Sequence, residues 1–144
     1  MNLTLETLLH GVAATLRDRI RPEVPEGFAA EMSRLATLLV SVAANAVDDA
    51  AAVRVWENQE MRQLFADAVS LVDGDLSSRL AEAAASVDPG LRISELDGAN
   101  GRLRTVLIAL QAEIEVDRRA AAQDLNARIW GLLRTVEERR APRM

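Results

Sequence analysis

From Phe28 to Val72 the chain contains neither glycine nor proline. Those two residues are the strongest local breakers of regular structure. A stretch this long without them is continuous helix, or helix interrupted by something milder. The alternation of apolar and polar residues that marks a half-buried strand occurs neither here nor elsewhere. Phe28, Met32, Leu35, Leu39, Val42 and Ala46 instead recur at steps of four and three, a heptad-like seam. Leu38, Val40 and Ala43 widen that seam, so Leu35–Val47 is expected to be a buried central helix covered on more than one side. The run is short of the ~20 apolar residues a membrane span requires, with Glu31 and Arg34 before it and Asp48 and Asp49 after it. One helix to Val72, or two jointed near Asn45–Asp49, would satisfy the pattern, and the joint is the expectation. Val53, Trp56, Met61, Leu64, Phe65, Ala68 and Leu71 continue the apolar spacing beyond it.

The flanks read the same way. Leu5, Leu8, Leu9, Val12 and Leu16 share one helical face, with Asn2 or Thr4 as N-cap and an end near Ile20. Pro22, Pro25 and Gly27 make the following break. Asp73-Gly74-Asp75 is a turn, Leu76–Val87 a short amphipathic helix, and Asp88-Pro89-Gly90 the strongest break. Ser94 with Asp97 three residues on resembles a capping box. It opens a helix with Leu96, Leu103, Leu107, Leu110 and Ile114 on one seam. A stop near Glu115–Asp117 and a continuation past it both fit. Ala122, Leu125, Ile129, Leu132, Leu133 and Val136 define a last helix that ends before Pro142, with Glu137–Arg143 read as a frayed, solvated terminus. The whole is an all-α, antiparallel helical bundle of four to six helices, with residues 1–144 taken as one helical domain.

Composition rules several chemistries down. There is no cysteine, which removes thiolate zinc sites, thiol nucleophiles and disulfides. That is compatible with a reducing cytoplasm, and a cytoplasmic location is the expectation. No lysine occurs, so Schiff-base and P-loop lysines are excluded. A net charge of −5 and 3% aromatic residues argue against nucleic acid and anionic membrane as partners. His10 has Glu6 one turn before it, but a metal site wants three or four ligands. Asp73 and Asp75 lack the remaining ligands of a calcium loop. No cofactor or metal is expected.

The polar stretch from Arg54 to Arg62 stands out. Glu57 sits between Val53 and Met61 at four-residue steps and so leans toward the apolar face. A buried carboxylate needs a partner, and Arg54 or Arg62 is in reach on the same helix. An ordinary helix laced with i,i+4 ion pairs fits the same residues. Asn100 lies on the seam between Leu96 and Leu103. Buried there, it would set register or oligomeric state; at the edge, beside Gly98 and Gly101, it would be solvated.

The blocks around Ala50–Ala66 and Leu91–Glu115 resemble segments of small bacterial all-helical proteins of unknown function. Arg54, Glu57, Asn58, Arg62, Phe65, Arg92, Ser94, Asn100, Arg102 and Arg104 are the matching positions, and Met61 stands where leucine is expected. The resemblance is similar to what accompanies aminoglycoside-phosphotransferase-like and acyl-CoA-dehydrogenase-like enzymes, and it carries no activity over. With no nucleophile–base set, phosphate loop or metal set in view, the expectation is a non-enzymatic helical interaction protein. Its partner would be a second copy or an enzyme, and Arg54, Glu57, Asn58, Arg62, Asn100 and Arg104 would orient the contact. The other reading is a ligand pocket or active site between helices, using Glu57 with Arg54 or Arg62.

Overall fold

The computed structural model describes residues 3–141. Within them the regular structure is helical: α1 (Leu5–Thr15), α2 (Phe28–Val47), α3 (Ala50–Ala68), α4 (Gly74–Ala85), α5 (Ile93–Val116) and α6 (Ala120–Arg140). Among the described residues there is no strand. No single helix of theirs is long and apolar enough to cross a membrane. The glycine- and proline-free run from Phe28 is two helices, parted at Asp48 and Asp49 where the joint was expected. Aspartate is a poor interior helix former, and two in succession mark the joint.

Local chemistry explains most boundaries. Thr4 caps α1, its Oγ1 accepting from the Thr7 amide at 3.2 Å; the other cap candidate, Asn2, lies outside the described residues. After Thr15 the helix widens to a π turn over Leu16–Ile20 and then tightens to a 3₁₀ turn over Arg21–Glu23, where Pro22 sits. Gly27 precedes α2 with φ 135°, a backbone region that side chains with a Cβ resist. The capping box proposed for α5 is misplaced by two residues. The N-cap is Arg92, and the Glu95 carboxylate accepts from its amide at 3.3 Å. Ser94 therefore lies inside the first turn of α5.

The chain divides into two compact units, residues 3–50 with Ala141, and Ala51–Arg140. In the second, α4 and α6 each pack on α5. Its core follows the expected seams: Leu103, Leu107, Leu110 and Ile114 of α5 are buried with Met61, Leu64 and Phe65 of α3 and Leu125 and Ile129 of α6, and Leu96 is buried as well. Gly98 and Gly101 do not interrupt α5, because that buried face outweighs the ~1 kcal/mol each glycine costs relative to alanine.

The first unit is α1 packed on α2, and here the sequence reading fails. Its buried apolar residues are three alanines, Ala13, Ala30 and Ala44. The seam expected at the centre of the molecule faces outward: Phe28 is 80% exposed, Leu39 59% and Leu35 44%. Leu5, Leu8 and Val12 of α1 are exposed as well. Periodicity shows that a helix has an apolar face, but not whether the same chain supplies its cover. In this unit α2 turns its small residues inward and its large ones outward.

Candidate functional site

The six polar residues singled out in the sequence all lie in the second unit. Five of them belong to one hydrogen-bonded chain across α3, α5 and α6. Arg54, Asn58 and Arg62 are spaced by four on α3 and form a stripe. Arg54 Nε donates to Asp97 Oδ1 at 2.6 Å. Asn58 Nδ2 donates to Asp88 Oδ1 at 3.0 Å and to the Leu96 carbonyl at 3.3 Å. Arg62 Nη2 donates to the same Asp88 oxygen at 2.7 Å, and its Nε to Ser86 Oγ at 3.2 Å. The stripe therefore fastens the α4–α5 connection and the first turns of α5 onto α3. Asp88 belongs to the turn recognised in the sequence, and that turn is held by its own side chain.

From Asn58 the chain runs inward. Its Oδ1 accepts from Asn100 Nδ2 at 3.0 Å, and Asn100 Oδ1 accepts from Arg104 Nε at 3.0 Å. Asn100 is thus a buried seam residue, and the solvated edge position is excluded. Arg104 Nη2 donates to Glu57 Oε1 at 2.7 Å. Arg140 Nε donates to Glu57 Oε2 at 2.7 Å. Glu57 is 1% exposed, whereas both arginines reach it from the partly open rim. Burial pushes the Glu57 carboxyl upward. The Asn100 amide, the Arg104 and Arg140 guanidinium groups and the charge of Arg104 together outweigh that and hold it below the usual carboxylate range.

The partners expected for Glu57 are therefore corrected. Arg54 and Arg62 turn to Asp97 and Asp88, and Arg104 and Arg140 serve Glu57 instead. Sequence spacing offers only partners on the same helix, while these come from α5 and α6. Arg140 was assigned to a frayed terminus. Its residue pair is in fact anchored: Arg139 stacks its guanidinium 3.9 Å from the Trp56 ring centroid beside the Arg140–Glu57 bond. Pro142 and Arg143 lie outside the described residues.

Chemically, the network is closed. Each Glu57 oxygen is occupied by an arginine, and the space bounded by Glu57, Met61, Arg104, Leu107 and Val136 has a volume of ≈ 0 Å³. No substrate atom fits beside the carboxylate. His10 lies 3.8 Å from Glu6, both half exposed, and among the described residues no group of three or more His, Asp or Glu is placed to hold a metal ion. Open features lie elsewhere, and two of them matter below. One is the outward seam of α2. The other is a groove of ≈ 270 Å³ beside α4 and α5, lined in part by Arg62, Arg79 and Arg102.

Set against known proteins, the chain matches no family model, no curated protein and no solved structure.

Proposed function

We propose that this protein is a non-enzymatic helical interaction module that pairs with a second copy of itself through the outer face of its first unit. One observation carries the reading: the heptad-spaced stripe Phe28, Met32, Leu35, Leu39 is exposed along α2 while the unit behind it buries only alanines. Of the sixteen large hydrophobic side chains exposed among the described residues, ten belong to the first unit. A two-helix unit with three alanines inside has too little buried apolar surface to be stable alone. Covering its outer face adds what is missing.

A second copy fits that face best. A seam at steps of four and three is complementary to itself, and a two-fold axis sets the same patch on both subunits. Two hairpins brought together make a four-helix bundle whose core holds the large residues that each hairpin leaves outside. On α2 itself Phe28, Met32, Leu35, Leu38 and Leu39 are each two-fifths exposed or more, the apolar centre that an interface of ~800 Å² per partner requires. An anionic membrane is a poorer occupant, since residues 1–50 carry seven acids against four arginines. In this reading the Glu57 network holds the second unit in one register.

Sedimentation equilibrium over a wide concentration range tests the proposal on the full chain. The wild type is expected to be dimeric at micromolar concentration. The double variant Leu35→Glu/Leu39→Glu is expected to be monomeric with its helical circular dichroism largely retained. A monomeric wild type, or a dimer that survives both substitutions, overturns it. A stoichiometric unlike protein captured on the same face would replace the second copy with an accessory-subunit role.

A further inference from the structure

The groove beside α4 and α5 differs in kind from the closed Glu57 network. Its floor is apolar: Ala83 from α4 and Ala99, Leu103 and Val106 from α5, with the exposed Val87 of the α4–α5 connection at its edge. Its polar rim consists of Arg62, Arg79, Arg102, Glu82 and Ser86. Arg62 is already committed, to Asp88 and to Ser86. Ser86 in turn donates to the Ala83 carbonyl at 2.7 Å. Arg79 and Arg102 are not committed: neither makes a hydrogen bond or ion pair among the described residues. Arg102 Nη1 lies back along its helix, over Gly98, where even an added Cβ would come no nearer than 3.7 Å. In a chain of net charge −5, two uncommitted guanidinium groups and one opposing carboxylate, Glu82, thus border an apolar cleft.

We propose that this groove binds a small amphipathic carboxylate, with its anion on Arg79 and Arg102 and its apolar body along the α4–α5 floor. A guanidinium presents paired donors that match a carboxylate, and pairing there is charge-assisted. The apolar floor disfavours a bare anion, because such an ion would leave that surface exposed to water and gain nothing from its burial. The volume of ≈ 270 Å³ lies just below the usual range for ligand sites, which limits the body to a short acyl chain or single ring. Glu82 on the rim disfavours ligands with several negative charges. The site is independent of the α2 seam and stands whether or not the protein dimerises.

The probe is octanoate, titrated calorimetrically into the full chain, with octan-1-ol as the uncharged control. Arginine side-chain Nε–Hε resonances are followed by nuclear magnetic resonance in parallel. Octanoate is expected to bind and to shift the Arg79 and Arg102 resonances. Arg79→Gln/Arg102→Gln is expected to weaken it about tenfold or more, as loss of charge-assisted bonds requires. Ala83→Leu, which fills the groove and keeps both arginines, is expected to weaken it as well. Three results overturn the proposal: no saturation by about 10 mM, equal binding of octan-1-ol, or octanoate binding unchanged in both variants. Shifts confined to α1 and α2 would assign the binding to the exposed seam and overturn it too.

Discussion

Glu57 and Arg140 stand 83 residues apart in sequence and 2.7 Å apart in space. The contact fixes the end of α6 to the middle of α3, and Arg104 closes the other side of the same carboxylate. Removing both arginines leaves a buried, unpaired charge. Arg104→Met/Arg140→Met is expected to cost about 3–5 kcal/mol. Glu57→Gln removes the charge and keeps the shape, and is expected to cost less, about 1–3 kcal/mol. Urea unfolding at neutral pH separates the two, provided the slope with denaturant is unchanged. A double variant as stable as the wild type would show that Glu57 hydrates or protonates freely.

The same carboxylate gives a pH dependence of known sign. Glu57 is held below the usual range in the folded protein, while an unfolded glutamate titrates near ~4.3. Between those values the unfolded chain binds more protons, so stability rises with pH. The contribution is complete above about pH 5–6 and is lost as pH falls through the folded value. Asp67, lowered first by its hydrogen bond from Arg128, and Asp117, lowered first by that from Arg119, act in the same direction. Melting temperatures from neutral to acidic pH should fall in the wild type and fall less in Glu57→Gln. Parallel curves would remove Glu57 from the account.

The seams of α5 and α6 were legible because their covers lie in the same chain: a residue such as Leu110 or Ile129 that repeats at helical spacing is buried. Phe28 and Leu39 repeat as regularly and are exposed, since spacing carries no information about what lies opposite. The polar residues were legible one at a time, and their pairing was not. Glu57 leaned toward the apolar face as its position implied, but its partners come from 47 and 83 residues away. The Arg79–Arg102 groove left no motif, because it is made by two helices lying side by side.

The two phenylalanines provide a direct contrast. Phe28 is 80% exposed and Phe65 is fully buried. On the Leu35→Glu/Leu39→Glu background, Phe28→Ser is expected to change stability by no more than about 0.5 kcal/mol. Phe65→Ala is expected to cost about 3–5 kcal/mol. On the wild-type background Phe28→Ser should instead weaken self-association. If Phe28→Ser destabilised the monomer as much as Phe65→Ala, the outward orientation of α2 would be wrong.

Asn58 and Asn100 share a buried bond of 3.0 Å. A double-mutant cycle through Asn58→Ala and Asn100→Ala is expected to give a coupling energy of about 0.5–3 kcal/mol. Additive losses would mean that each amide acts only through its other neighbours, Asp88 and Leu96 for Asn58 and Arg104 for Asn100.

The Glu57–Arg140 contact also sets an order of events during synthesis. A nascent chain made only as far as α5 already holds α3, α4 and their apolar faces, yet one oxygen of its central carboxylate still lacks its guanidinium. The last turn of α6 supplies it. A chain cut just short of Arg140 keeps the apolar seam of α6 but leaves Glu57 Oε2 facing no arginine.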